Sequence, residues 1–211
     1  MPNSARVVIS SYVLRILIRQ RYLHDREIFI CRAVCRSWLH TCTEYFHSLT
    51  TFTLAKYYQN GIFPYEPYFY NRALATILSY INAENIRELD ISSPTYIPHV
   101  VRVNDLTFAI LGSIKWKQLK VLKFRNILLN NTDLARLADS VNLSTLTELD
   151  FHRSFSHYCP ISFGLEMVLQ KSESLRRLDL GYAIDVELPL KRNVWPASLE
   201  GMFLKIHNNR E

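Results

Sequence analysis

The chain has 211 residues, of which 48% are hydrophobic and 21% charged, with 5 glycines and 4 cysteines. A chain of this length buries roughly 70% of its unfolded surface, so it builds a core without metals or disulfides, and its composition excludes the collagen-like and disordered classes. The net charge is +6, and residues 1–47 hold most of it, with seven arginines against Asp25, Glu27 and Glu44.

Cys31, Cys35, Cys42 and Cys159 are too few and too clustered for a secreted disulfide framework, which favours a reducing cytosol or nucleus. Val7 to Ile18 is apolar, but Arg15 interrupts it and Arg19 and Arg21 follow, so a signal peptide is not expected. No stretch approaches the roughly 18 to 20 apolar residues of a membrane span. The expectation is a soluble, unprocessed protein.

Three short helices are predicted first, over Ser11–Arg21, Asp25–Ala33 and Val34–Cys42, joined around Tyr22 to His24. In the first, Val13, Leu14, Leu17 and Ile18 make an i, i+1, i+4, i+5 stripe, and Ile28, Phe29, Cys31, Val34, Cys35 and Trp38 continue the apolar surface. So much apolar helix needs a partner surface or an adjoining domain. The segment Ile9 to Leu17, followed by Leu23 to Trp38, resembles an F-box. Its tail Val34-Cys35-Arg36-Ser37-Trp38 carries the V-C-R-x-W signature, with Arg26-Glu27-Ile28-Phe29 at the matching distance before it, while Ile9-Ser10 replaces the Leu-Pro opening. The resemblance implies docking on a Skp-type adaptor, and through it a cullin scaffold, by Ile9, Val13, Leu14, Leu17, Leu23, Ile28, Phe29, Val34, Cys35 and Trp38. Leu14 and Leu17 are each worth about 1.5 to 3 kcal/mol if fully buried there. The plainer reading is that these helices cap a repeat array, whose ends need covering.

Beyond residue 47 an L-x-x-L-x-L spacing recurs, starting at Leu49, Ile86, Leu119, Leu146, Leu175 and Leu199, at intervals of 24 to 37 residues. The two longest intervals hold insertions around Ile62–Tyr70 and Ser92–Asn104, punctuated by Pro64, Pro67, Pro94 and Pro98. Helices are predicted between copies: Tyr70–Ile81, Asp105–Trp116 with Leu106, Ala109, Ile110 and Ile114 on one face, Thr132–Val141 with Leu134, Leu137, Ala138 and Val141, and Ile161–Lys171. The expected fold is α/β: a three-helix F-box-like segment over 1–47, then a leucine-rich-repeat solenoid of about six repeats over 48–211, parallel strands on its concave face and helices on its convex face. Leu119 to Phe151 resembles the leucine-rich repeats of F-box proteins most closely, and Trp195-Pro-Ala-Ser-Leu199 resembles the opening of FNIP-type repeats.

Together the resemblances imply a substrate receptor of a cullin-RING ubiquitin ligase, in which the repeats hold an unknown protein target. Outward strand positions put Glu88, Asp90, Lys123, Arg125, Glu148, Asp150, His152, Arg177 and Asp179 on the recognition face, and their mixed signs suit a protein better than a polyanion. The aromatic insertion Phe63 to Tyr70 is an equal candidate. Cys31 and Cys35 lack the spacing of a zinc site and are expected in the core, and no Walker, G-x-S-x-G or H-E-x-x-H motif is present. No cofactor, metal or catalytic role is expected. Two other classes stay open: a repeat scaffold or inhibitor whose helices only cap, and a nucleic-acid binder using the basic N-terminal helices.

Overall fold

The computed structural model describes residues 10–58, 74–93, 101–102, 105–155, 161–182 and 194–205. Ile9, the aromatic insertion at 63–70 and most of the insertion at 92–104 lie outside the described residues. Among the described residues no helix is long and apolar enough to cross a membrane.

The chain opens with helices α1 (Ser11–Arg19), α2 (Asp25–Cys31) and α3 (Arg36–Ser48). Ser10 caps α1 by accepting from the Val13 N–H. The helix stops two residues before the expected Arg21, because Arg21 turns left-handed at φ 58°. Its N–H then donates to Ile18 at 3.0 Å and that of Tyr22 to Leu17 at 2.9 Å, closing the last carbonyls. In α2 the Glu27 carboxylate reaches back to the His24 N–H at 2.7 Å. The third helix differs most from expectation: Cys35 is extended at φ −162°, so Val34 and Cys35 form the corner before α3, not its first turn. At the other end nothing between Thr43 and Ser48 breaks the helix, and Phe46 prolongs the buried face of Thr41 and Cys42.

The chain continues through β1 (Thr51–Thr53), α4 (Ala55–Tyr58), a helical stretch α5 (74–78), β2 (Glu88–Asp90), β3 (Val101–Arg102), α6 (Asp105–Ser113), β4 (Val121–Lys123), β5 (Ile127–Leu128), α7 (Asn131–Ser140), β6 (Glu148–Asp150), α8 (Ser162–Gln170), β7 (Arg177–Tyr182) and β8 (Gly201–Lys205). The molecule is thus mixed α/β, with a six-stranded parallel sheet in the order β1-β2-β4-β6-β7-β8 and a parallel pair β3-β5. Each L-x-x-L-x-L copy supplies one strand of the large sheet. The register aligns the fourth positions of all copies, Phe52, Leu89, Leu122, Leu149, Leu178 and Met202. Side chains alternate across a strand, so Phe52, Leu89, Leu122, Leu149 and Leu178 and the sixth positions, such as Leu54, Ile91, Phe124 and Phe151, enter one core shared with the helices.

The helices pack consecutively, α6 on α7 and α7 on α8. Leu134, Leu137, Ala138 and Val141 of the α7 region are all buried, as their spacing predicts. In α6 the expected face is rotated: Thr107, Phe108 and Leu111 are buried while Ala109 is exposed. That helix is apolar nearly all round, so its spacing carries no phase information, and the bulk of Phe108 decides. The strand-to-turn corner is also built repetitively. The carboxylates of Asp90, Asp150 and Asp179 each accept the N–H two residues on, at 3.0, 3.0 and 2.7 Å. After β4 and β6 and near the end of β7, Asn126, Arg153 and Gly181 take positive φ at 56°, 57° and 61°.

Candidate interaction surfaces

Two surfaces combine exposed apolar or charged groups with a fixed scaffold. The first is the outer side of α1–α3. Three of the four residues of the predicted stripe on α1 face inward, Leu14 at 0% exposure and Leu17 and Ile18 half-buried, while the fourth, Val13, is exposed. Ile28 is also inside, at 1% exposure. Neither Leu14 nor Ile28 offers surface to a partner, a correction to their expected role as contacts; both belong to the core with Cys42 and Phe46. The reason lies in α1 having apolar residues on two sides, of which the α3-facing side takes Leu14. Its other side leaves Tyr12, Val13 and Ile16 exposed.

At the corner between α2 and α3, Ile30 is 51% and Val34 61% exposed, with Cys35 exposed beside them. Cys35 is therefore not the core residue expected; the buried thiol of this unit is Cys42. Leu23, Phe29 and Trp38 are half-buried, packed against the core from outside. Tyr12, Ile16, Tyr22, Ile30 and Leu39 are exposed apolar residues that sequence spacing does not single out as contacts. The i, i+4 pair Tyr12 and Ile16 is the one available signal.

The helical unit is fastened to the residues between β1 and β2. The Arg32 guanidinium carbon lies 3.4 Å from the Tyr80 ring centroid and 4.2 Å from that of Phe29, whose own ring meets Tyr80 edge-on at 6.2 Å. Asn85 donates to the His47 carbonyl at 2.9 Å. The Tyr45 hydroxyl donates to Asp25 at 2.5 Å, and burial together with that carboxylate pushes the phenol well above its ordinary pKa. Lys56 adds an ion pair to Asp25 at 3.6 Å.

The second surface is the outward side of the large sheet, where the third and fifth positions of the copies form two rows. Glu88, Val121, Glu148, Arg177 and Gly201 make one; Asp90, Lys123, Asp150, Asp179 and Phe203 make the other. The sheet therefore brings the nine predicted recognition residues onto one face or its turn. Most of their charge is spent internally. Lys123 pairs with Glu88 at 2.6 Å and Arg125 with Asp150 at 2.5 Å, and His152 Nδ1 lies 3.7 Å from Asp179. Asp150 is only 3% exposed, so it serves the turn and Arg125 and presents nothing outward. Burial is the largest single influence on Arg125 and lowers its pKa, but the Asp150 hydrogen bond and the charges of Asp150, Asp90 and Asp179 together outweigh it, and the pKa is raised.

The far end of this face is a feature that sequence reasoning misses. Met202 is 45% and Phe203 54% exposed, although Met202 occupies the row whose other five members are at most 1% exposed. Position in the last copy is the signal, since β8 has a strand on one side only among the described residues. No family model matches the chain, and no curated protein matches it.

Proposed function

We propose that the chain is the target-recognition subunit of an SCF-type cullin-RING ubiquitin ligase, working in the cytoplasm or nucleus. In this reading α1–α3 are an F-box that docks on a Skp-type adaptor, and the six aligned copies are a short leucine-rich-repeat solenoid that holds a protein target. The chain performs no catalysis itself; it raises the effective concentration of target beside the ubiquitin-transferring partners.

The observation that carries the reading is the corner at Val34 to Trp38. The residues resembling the F-box signature stand where two helices meet; Val34 among them and Ile30 just before them are exposed, as are Tyr12, Val13 and Ile16 on α1. Exposed apolar side chains gathered into one patch mark a protein-binding surface, which is what this reading requires of them. A second reading, a scaffold whose helices only cap, draws support from Leu14, Ile28 and the Arg32–Tyr80 contact, all of which serve the chain's own core.

The deciding experiment is co-purification of the full chain with a recombinant Skp-type adaptor. Because Leu14 is internal, the informative substitutions are outward ones: Ile16→Asp with Val34→Asp is expected to abolish adaptor binding and leave the melting curve nearly unchanged. Adaptor binding that resists salt separates this docking from nucleic-acid capture, which weakens steeply with ionic strength. A chain that never binds an adaptor leaves capping as the role of the helices.

A further inference from the structure

We propose that the shallow concavity over β6, β7 and β8 binds an extended segment of a partner protein that presents an apolar, an acidic and a basic side chain in that order. This names the target class for the sheet face and so rests on the target-recognition reading above. The concavity has a volume of about 390 Å³, with Glu148, Arg177, Gly201, Met202 and Phe203 on its walls.

Its charges divide into fixed and free. Asp150 is held by Arg125 and the His152 N–H, and Asp179 by the Gly181 N–H with His152 nearby. These groups are already satisfied and add rigidity to the floor. Glu148 and Arg177 stand in register on β6 and β7, yet among the described residues neither side chain makes an ion pair or hydrogen bond. A free guanidinium on a rigid strand accepts a carboxylate through two parallel N–H donors, and the free Glu148 takes a cation.

The third column is apolar. Phe203, in the outward row, is about half-exposed, and a partner side chain laid on it removes that surface from water. Gly201 keeps the space between it and Arg177 open, since a Cβ there would meet nothing within 4 Å. Neighbouring strands are about 4.8 Å apart, so the three columns span roughly 10 Å, the reach of three to four residues of extended chain. The sequence order apolar, acidic, basic follows the column order β8, β7, β6.

The test is selection from a random heptapeptide display library on the immobilised full chain. Peptides with an acidic residue within two positions of an aliphatic or aromatic one, and a Lys or Arg on the far side of the acid, are expected to be enriched. With a synthetic peptide of the selected sequence, Arg177→Ala is expected to weaken binding roughly ten- to hundredfold. Gly201→Trp, which fills open space and leaves the fold alone, is expected to block it. A selection lacking the acidic position, affinity unchanged in Arg177→Ala and Gly201→Trp, or equal displacement by heparin would overturn the proposal. Adaptor co-purification is measured on the same samples. Peptide selection without adaptor binding refutes the ligase reading alone, and adaptor binding without peptide selection refutes this inference alone.

Discussion

Single atoms decide two of the tightest places in the molecule. Gly164 lets α8 lie directly on α7: its N–H donates to the Asn131 side chain at 2.8 Å, and a Cβ would stand 2.4 Å from the Asn131 carbonyl and 2.7 Å from the Leu134 Cβ. Alanine is the better helix former by about 1 kcal/mol, but backbone cannot yield to it as a flexible side chain does. Gly164→Ala is therefore expected to cost about 1 to 3 kcal/mol in chemical denaturation, whereas Gly201→Ala is neutral or stabilising. Cys42 shows burial acting through ionisation. Its thiol is fully enclosed, and desolvation, reinforced by Cys31, lifts its pKa from 9.0 to about 11. A group whose folded pKa lies above its unfolded one contributes stability that is complete below the unfolded value and lost as pH rises through the folded value. At neutral pH Cys42→Ala is expected to be less stable than the parent, and that gap should narrow between pH 9 and 11. A gap constant across that range, measured by urea denaturation, would refute the assignment.

Among the elements, α7 has the best-defined start. Asn130 accepts the Asp133 N–H at 3.0 Å and Asp133 accepts the Asn130 N–H at 3.0 Å, a reciprocal box in which Asp133 is almost buried. Asn130→Ala is expected to cost about 1 kcal/mol, and more if the buried carboxylate is left without compensation; thermal melts followed by circular dichroism measure it. This helix is legible in the sequence because its apolar positions recur on one face and its first turn carries Asp133. The strands are legible for the same reason, since every L-x-x-L-x-L copy places its strand. Two kinds of feature are not legible. Where apolar residues surround a helix, as in α6, or line both sides, as in α1, spacing cannot say which side turns inward. That is why Leu14 reads as a contact in the sequence and Ile16 does not. Helix ends set by a left-handed arginine, as at Arg21, or by an extended cysteine, as at Cys35, also carry no compositional signal, because glycine is the residue that normally marks such a place. The outward face of the large sheet is legible as a set of positions, but its partition into paired and unpaired charge depends on distances between strands, which no sequence spacing encodes.

Across the whole molecule, the order of strands in the sheet is the order in the chain, so β1 beside the helical unit and β8 with its exposed Met202 and Phe203 stand at opposite edges. Five strand spacings separate them by roughly 24 Å. The separation is fixed only if the helical unit and the sheet behave as one body, and the core argues that they do. Leu14, Ile28, Cys42 and Phe46 belong to one buried cluster with Phe52 and Leu54 of the first copy, and Arg32 reaches across to Tyr80. Removing residues 1–48 uncovers the first copy and leaves Tyr80 and Asn85 without their partners. Uncovering buried apolar side chains is costly, so the truncated chain is expected to lose stability by several kcal/mol and to bind a hydrophobic dye at temperatures where the full chain does not. The intact chain should melt in one transition, with Trp38 in α3 and Trp116 before β4 reporting the same midpoint by fluorescence in single-tryptophan variants. Two separated midpoints, with Trp38 released first, would mean that the helical unit folds apart from the sheet, and the spacing between the two surfaces would then not be set by the fold.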